Sequence, residues 1–255
     1  MTDELLYEVR DGIGRITFNR PQARNALTFP MYERLAEVTA DPGDVRVLIL
    51  TGAGDKAFAA GTDINQFRSF SSGQDALDYE ARIDRVVGTL ERCRVPTIAA
   101  IAGACTGGGA AIAAGCDLRI AAANARFGFP IARTLGNCLS MSNIARLAAL
   151  IGAARVTEMI FTARLYSAAE AQAAGLVSEV LPDQAALEAR TAELATLLSG
   201  HAPITMRVTK EALRRLREHG LPPDEDLIRM AYESQDFREG MDAFLTKRTP
   251  AWRGA

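Results

Sequence analysis

A chain of 255 residues, 48% of them hydrophobic, can bury a sizeable core in one large domain or two small ones. Its 29 Lys and Arg against 31 Asp and Glu leave a net charge of −2, so no long-range field gathers nucleic acid or an anionic membrane. Any anionic ligand has to be held by local groups.

In chain order, residues 13–18 and 45–51 are short β-branched runs, and 28–40 between them carries Met31, Leu35 and Val38 at helical spacing. Thr28 is the expected N-cap of that helix, with Pro30 in its first turn. Residues 75–94 then read as a helix, 96–102 as a buried strand, 109–114 as a short helix and 117–122 as a strand. This alternation favours an α/β layered parallel sheet. Helices are expected at 142–150, 155–162 and 167–174, the last opened by a Ser167/Glu170 capping box and stopped by Gly175. A strand is expected at 176–181. The remainder reads as amphipathic helices at 184–199, 203–218 and 225–247, the last broken near Gly240.

Four cysteines, Cys93, Cys105, Cys116 and Cys138, follow no C-x-x-C spacing, and His201 and His219 are the only imidazoles, which disfavours a zinc site. Structural thiols are expected, with Cys138 the candidate for reactivity. Residues 1–10 are charged rather than signal-like, and the apolar stretch 95–114 is broken by glycines and a proline, so a cytoplasmic location is expected.

Chemistry concentrates in two separated segments, AFAAGTD at 57–63 and the Gly107-Gly108-Gly109 run before a short helix. Glycines let a ligand oxygen approach the main chain, and amides at a helix N-terminus point outward with the dipole behind them. Two such amides can clamp one developing oxyanion. The glycine run is no phosphate loop, because no Lys-Ser/Thr follows it.

Read together, ITFNRPQARNAL (16–27), VLILTGAGDKAFAAGTDI (47–64), PTIAAIAGACTGGGAAIAAGCDLRIA (96–121), ARFGFP (125–130), AAEAQAAGLVSEVLP (168–182) and EGMDAFLTKRTPAW (239–252) resemble the crotonase, or enoyl-CoA hydratase/isomerase, superfamily. The resemblance spans essentially the whole chain. It implies a spiral of ββα units over 1–195, a C-terminal helical oligomerisation region over 196–255, homotrimers or dimers of trimers, and an acyl-CoA thioester ligand. No cofactor is implied beyond the coenzyme A of the substrate.

By match to the family's motifs, the two oxyanion donors fall on the Thr62 and Gly108 amides, and the main chain of Ala60, Asp63, Ile64 and Asn65 would hold the adenine and pantetheine. Arg24, in RNAL, falls where the family often places a basic residue near the CoA phosphates. Lys247 is a candidate phosphate contact on a neighbouring subunit. Asn65 replaces a lysine often present there.

The family's hydratases use two glutamates, one to deprotonate water and one to protonate the α-carbon. The first position is Ala111 here, and the second is Ile131, or Ala132 if one residue is inserted before Gly136. A third acid position falls near Ser140. None carries a carboxylate, so the two-acid mechanism does not transfer.

Asn137, Cys138, Ser140 and Arg133 are candidates for orienting a polar group of the substrate. Helix 75–94 offers Asp75, Asp78, Tyr79, Glu80 and Asp84. Such charges mostly face solvent, but Tyr79 or Glu80 is the place to seek a replacement acid. Asp63 and Asp117 read as carboxylates satisfying nearby backbone amides. The leading expectation is an enzyme of the hydratase/isomerase type that stabilises a thioester enolate. A decarboxylase, an isomerase using non-standard polar residues and a non-catalytic acyl-CoA-binding homologue are the alternatives.

Overall fold

The computed structural model describes residues 4–218 and 225–251, so His219 and Trp252 lie outside the described residues. The chain opens with a hairpin of β1 (Leu5–Arg10) and β2 (Ile13–Phe18), whose Asp-Gly turn puts Asp11 and Gly12 at φ 52° and 72°. Helix α1 (Phe29–Ala40) follows. The chain then repeats a long strand and a short strand before each helical segment. Strands β3 (Val47–Gly52) and β4 (Ala57–Ala59) lead to α2 (Gly73–Glu91), and β5 (Thr97–Ile101) and β6 (Ala104–Thr106) lead to α3 (Gly108–Gly115). The third pair, β7 (Leu118–Ala122) and β8 (Arg126–Gly128), leads to α4 (Ile131–Thr134), α5 (Met141–Ile151) and α6 (Ala153–Phe161).

The long strands build a sheet in the order β1-β2-β3-β5-β7-β10, where β10 is Glu179–Leu181 and every pair after β1-β2 is parallel. The short strands build a second sheet in the order β4-β6-β8-β9, with β9 at Tyr166–Ser167. Between β9 and β10 runs α7 (Ala168–Ala173), with the expected Ser167/Glu170 capping box. This is the crotonase-like α/β spiral.

Strands β3 and β5 are buried at every residue, as parallel strands covered on both faces must be. Helix α8 (Gln184–Ser199) lays Leu187, Leu194 and Ala195 against Val47, Ile49, Ile98 and Ile120. The opposite face carries the main core beneath α1, α2 and α3. Helix α9 (Pro203–Glu218) meets α5, α10 (Glu225–Tyr232) packs on α2, and α11 (Gln235–Thr246) packs on α4.

Four expectations need correction. The Thr28 side chain makes no cap bond; its hydroxyl donates to Glu4 Oε2 at 2.9 Å. Strand β10 begins at Glu179 rather than residue 176. The four short strands pair in a separate sheet and were not read as strands. The last helix breaks at Glu233–Ser234, where Ser234 caps α11, and Gly240 lies inside α11. A Cβ on Gly240 would sit 2.5 Å from the Leu135 carbonyl oxygen, so this glycine serves close packing rather than a break.

Candidate active site

The two motif segments meet as backbone. Leu27 N–H donates to the Gly61 carbonyl and Asp63 N–H to the Leu27 carbonyl, both at 2.8 Å, which turns the intervening Thr62 N–H away from that pairing. Gly108 is the first residue of α3, so its N–H has no intrahelical acceptor. A Cβ built on Gly61 would lie 4.0 Å from the Gly108 nitrogen, so the two turns are in contact. Gly109 is required by a closer approach: a Cβ there would stand 2.2 Å from the Ala59 carbonyl oxygen.

Above these turns lies a cavity of about 160 Å³. Its wall includes Ala60, Thr62, Ile64, Tyr79, Glu80, Gly108, Ala111, Ile131, Asn137 and Cys138, and among the described residues no lysine, arginine or histidine lines it. Ala111 and Ile131 are buried and Ala132 is exposed, so Ile131 is the pocket-facing member of that pair.

The side chains around the cavity form two polar groups. Thr62 Oγ1 lies 2.8 Å from both Tyr32 Oη and Tyr79 Oη. Burial is the main cause raising both tyrosine pKa values, and it holds these hydroxyls in the protonated form. On the other side Tyr232 Oη donates to Glu80 Oε1 at 2.6 Å and accepts from Asn137 Nδ2 at 3.2 Å. Asn137 Oδ1 is buried without a partner. Tyr79, Tyr232, Phe67 and Phe237 stack with ring centroids 4.7–6.4 Å apart, which keeps water from this roof.

Other candidate residues fall elsewhere. Ser140 is buried and caps α5, donating to Asp84 Oδ1 at 2.6 Å, so it does not line the cavity. Arg133 is exposed and also lies outside the lining, because α4 turns its basic face to solvent; it does not orient a group in this pocket. Asp63 accepts from Asn65 N–H and pairs with Arg20 at 2.9 Å. Burial pushes its carboxyl up, but these partners outweigh that and its pKa is lowered. Its charge is therefore committed within the protein, and Asn65 is exposed beside it. Arg24 is exposed at φ 51°, and its carbonyl accepts from Ala60 N–H at 3.1 Å. Asp117 accepts from Thr97 and pairs with Lys210.

Sequence reasoning missed Tyr32, Tyr232 and Asn143 and undervalued Glu80. Ala76, Glu80, Ile83 and Val87 occupy one face of α2 at helical spacing and are all buried, so an acid interrupts an apolar stripe. That was the available signal for Glu80. Tyr232 reaches the site from 152 residues away and gave none.

A larger cavity of about 500 Å³ lies between α9 and the segment 114–119. Its charges are committed within the protein: Lys210 with Asp117, both Arg146 and Arg217 with Glu91, Arg214 with Glu211, and Arg119 with the Leu176 carbonyl. The smaller cavity, with amides and polar groups facing it, is the candidate active site.

This spiral, with paired turns under an apolar pocket, is the architecture of a crotonase-type protein. The profile of the enoyl-CoA hydratase/isomerase family matches residues 8–255, and the chain belongs to that family. It is 40% identical over 260 residues to "Probable enoyl-CoA hydratase echA8" of Mycobacterium tuberculosis, covering 98% of each chain. A solved methylmalonyl-CoA decarboxylase in complex with 2-nitronate-propionyl-CoA superposes with a TM-score of 0.90 at 30% identity, covering 100% of both chains. An enoyl-CoA hydratase from Mycobacterium avium subsp. paratuberculosis superposes at 0.84 with 27% identity, covering 99% of this chain and 100% of that one. No described helix is long and apolar enough to cross a membrane.

Proposed function

We propose that the chain binds an acyl-CoA thioester with its carbonyl oxygen between the Thr62 and Gly108 amides, and removes carbon dioxide from a malonyl-type thioester. One observation carries this reading: the amides border a pocket whose wall has alanine and isoleucine at positions 111 and 131 and, among the described residues, no basic side chain. Hydration needs one group to deprotonate water and a second to protonate the α-carbon. Decarboxylation breaks a carbon–carbon bond whose electron pair becomes the enolate, and preorganised amides stabilise the oxygen that receives the charge. A wall with no cation among the described residues also leaves the substrate carboxylate without a countercharge, which favours its departure. The likeness to a methylmalonyl-CoA decarboxylase along the full chain supports the same reading.

A second reading is favoured by Glu80, the single pocket acid among the described residues: double-bond isomerisation, with one carboxylate moving one proton. In either case the main chain of 60–65 holds the adenine and pantetheine, and Arg24 meets a CoA phosphate, with Lys247 of a second copy as a further contact. Assembly as a homotrimer or dimer of trimers is part of the proposal. Its support is the exposed apolar set Ile204, Val208, Leu213 and Leu216 on α9.

The test is a mass-spectrometric turnover screen over malonyl-, methylmalonyl-, crotonyl-, 3-hydroxybutyryl- and 3-enoyl-CoA. Loss of carbon dioxide from a malonyl-type ester is expected. Hydration of crotonyl-CoA at ordinary hydratase rates overturns the reading. Tight binding with no turnover identifies a non-catalytic homologue, and light scattering reads the oligomer.

A further inference from the structure

We propose that Glu80 carries the proton to and from the α-carbon of the bound thioester, with Tyr232 as its positioning residue. The inference rests on the enolate reading above but not on which net reaction follows.

Glu80 is only 3% exposed and lines the cavity together with Thr62, Gly108, Ala111 and Ile131. It stands on α2, which is not where the family resemblance places its two acids. A carboxyl group in an apolar helix stripe is costly to bury, and a buried acid facing a cleft is a functional candidate. Its orientation is set from across the pocket: Tyr232 Oη donates to Oε1 at 2.6 Å, and Asn137 Nδ2 in turn donates to Tyr232 at 3.2 Å. One carboxyl oxygen is thereby anchored by α10, in a wall that also includes Thr62 and Gly108. The pocket's phenol, that of Tyr79, is engaged with Thr62 Oγ1 at 2.8 Å.

The step balances without a further reactant. When carbon dioxide leaves, the electron pair of the broken bond forms the enolate; the α-carbon then takes the proton of the Glu80 carboxyl, which regains one from water. With a saturated thioester the carboxylate removes an α-proton, exchanges it with solvent and returns it.

The experiment follows butyryl-CoA in deuterium oxide, reading α-hydrogen exchange by mass spectrometry and binding by calorimetry. The wild-type protein is expected to exchange the α-hydrogens. Glu80→Gln keeps the shape and an acceptor for Tyr232, so binding should stay within about twofold while exchange falls by about 10²–10⁴-fold. Glu80→Asp, which withdraws the acid by one methylene, should give an intermediate rate. With methylmalonyl-CoA in deuterium oxide, Glu80→Gln should still release carbon dioxide but yield both 2-deuterio stereoisomers where the wild type yields one.

Exchange at the wild-type rate in Glu80→Gln overturns the assignment, as does a wild-type protein that binds butyryl-CoA without exchanging it. Glu80-dependent exchange with no carbon dioxide released from any malonyl-type ester upholds Glu80 and sinks the decarboxylation reading instead.

Discussion

The floor and the roof of the pocket are built by different means. The floor is main chain: two turns, Gly61-Thr62 and Gly107-Gly108, brought together by the short strands β4 and β6 that precede them. The roof is side chains from α2, α4, the loop after α4, and α10, with Tyr79, Glu80, Ile131, Asn137 and Tyr232 arriving from segments far apart in sequence. A floor of amides presents the same donors whatever side chains lie above it. The roof is therefore where one family member can differ from another in the bond it makes or breaks.

The sharpest way to break this division is to disturb the floor alone. A Cβ at Gly108 would stand 2.0 Å from Tyr32 Oη and 3.2 Å from Thr62 Oγ1, so Gly108→Ala must displace the Tyr32 hydroxyl and press on the Thr62 side chain it holds. Activity should drop by about 10²–10³-fold, the effect of losing one oxyanion donor, and stability by about 1–3 kcal/mol from overpacking. Adding Tyr32→Phe removes the nearest atom and should restore part of both. A double-mutant cycle in kcat/KM measures that coupling, and strictly additive losses would show that Gly108 does not act through this contact.

The roof has its own support behind it. Glu91 at the end of α2 is gripped by Arg146 of α5 at 2.8 Å and by Arg217 of α9. Burial pushes the Glu91 carboxyl up, but the two arginines outweigh it and hold its pKa below the usual 4.5. A depressed native pKa means that the unfolded chain binds protons first as the medium is acidified. The contribution is therefore complete at neutral pH and is lost as pH falls from about 4.5 through the native value. Glu91→Gln should cost about 3 kcal/mol at pH 7 by leaving buried arginine charge uncompensated. The gap to wild type in urea unfolding should narrow below pH 4.5, and a gap that widens there would refute the ion-pair account.

How far the sequence was legible follows the same division. Strand β2 and helices α8 and α9 match their expected bounds because each is long enough to display its period. The three-residue strands β4, β6 and β8 are too short to alternate, yet they set the floor. The floor was found through glycine chemistry instead. The roof was legible only in part: the apolar stripe interrupted by Glu80 was a local signal, set against the rule that a charged residue on a helix ordinarily faces water. Tyr232, on a helix 152 residues away, gave no local signal at all.

A smaller disturbance probes the joint between the two regions. In the proposed function Thr62 supplies a floor amide, while its hydroxyl is held by Tyr32 and Tyr79. Thr62→Val leaves two buried phenols short of a partner and should cost about 1–3 kcal/mol in stability. If the hydroxyl contacts aim the amide, kcat should fall with little change in KM; a rise in KM alone would mean that Thr62 serves only to bind.

The smallest effect is expected outside both regions, at Arg24, and there stability and binding should separate. Its φ of 51° is a left-handed conformation that a side chain disfavours and glycine adopts freely. Arg24→Gly relieves that conformation but loosens the unfolded chain, so stability should change by no more than about 1 kcal/mol. If the guanidinium meets a CoA phosphate, KM for the CoA ester should rise about two- to fivefold at low ionic strength, as expected for one exposed charge pair. The increase should shrink in high salt, where such pairs are screened. An unchanged KM at low salt would return Arg24 to the solvated surface and leave CoA recognition to the main chain of 60–65.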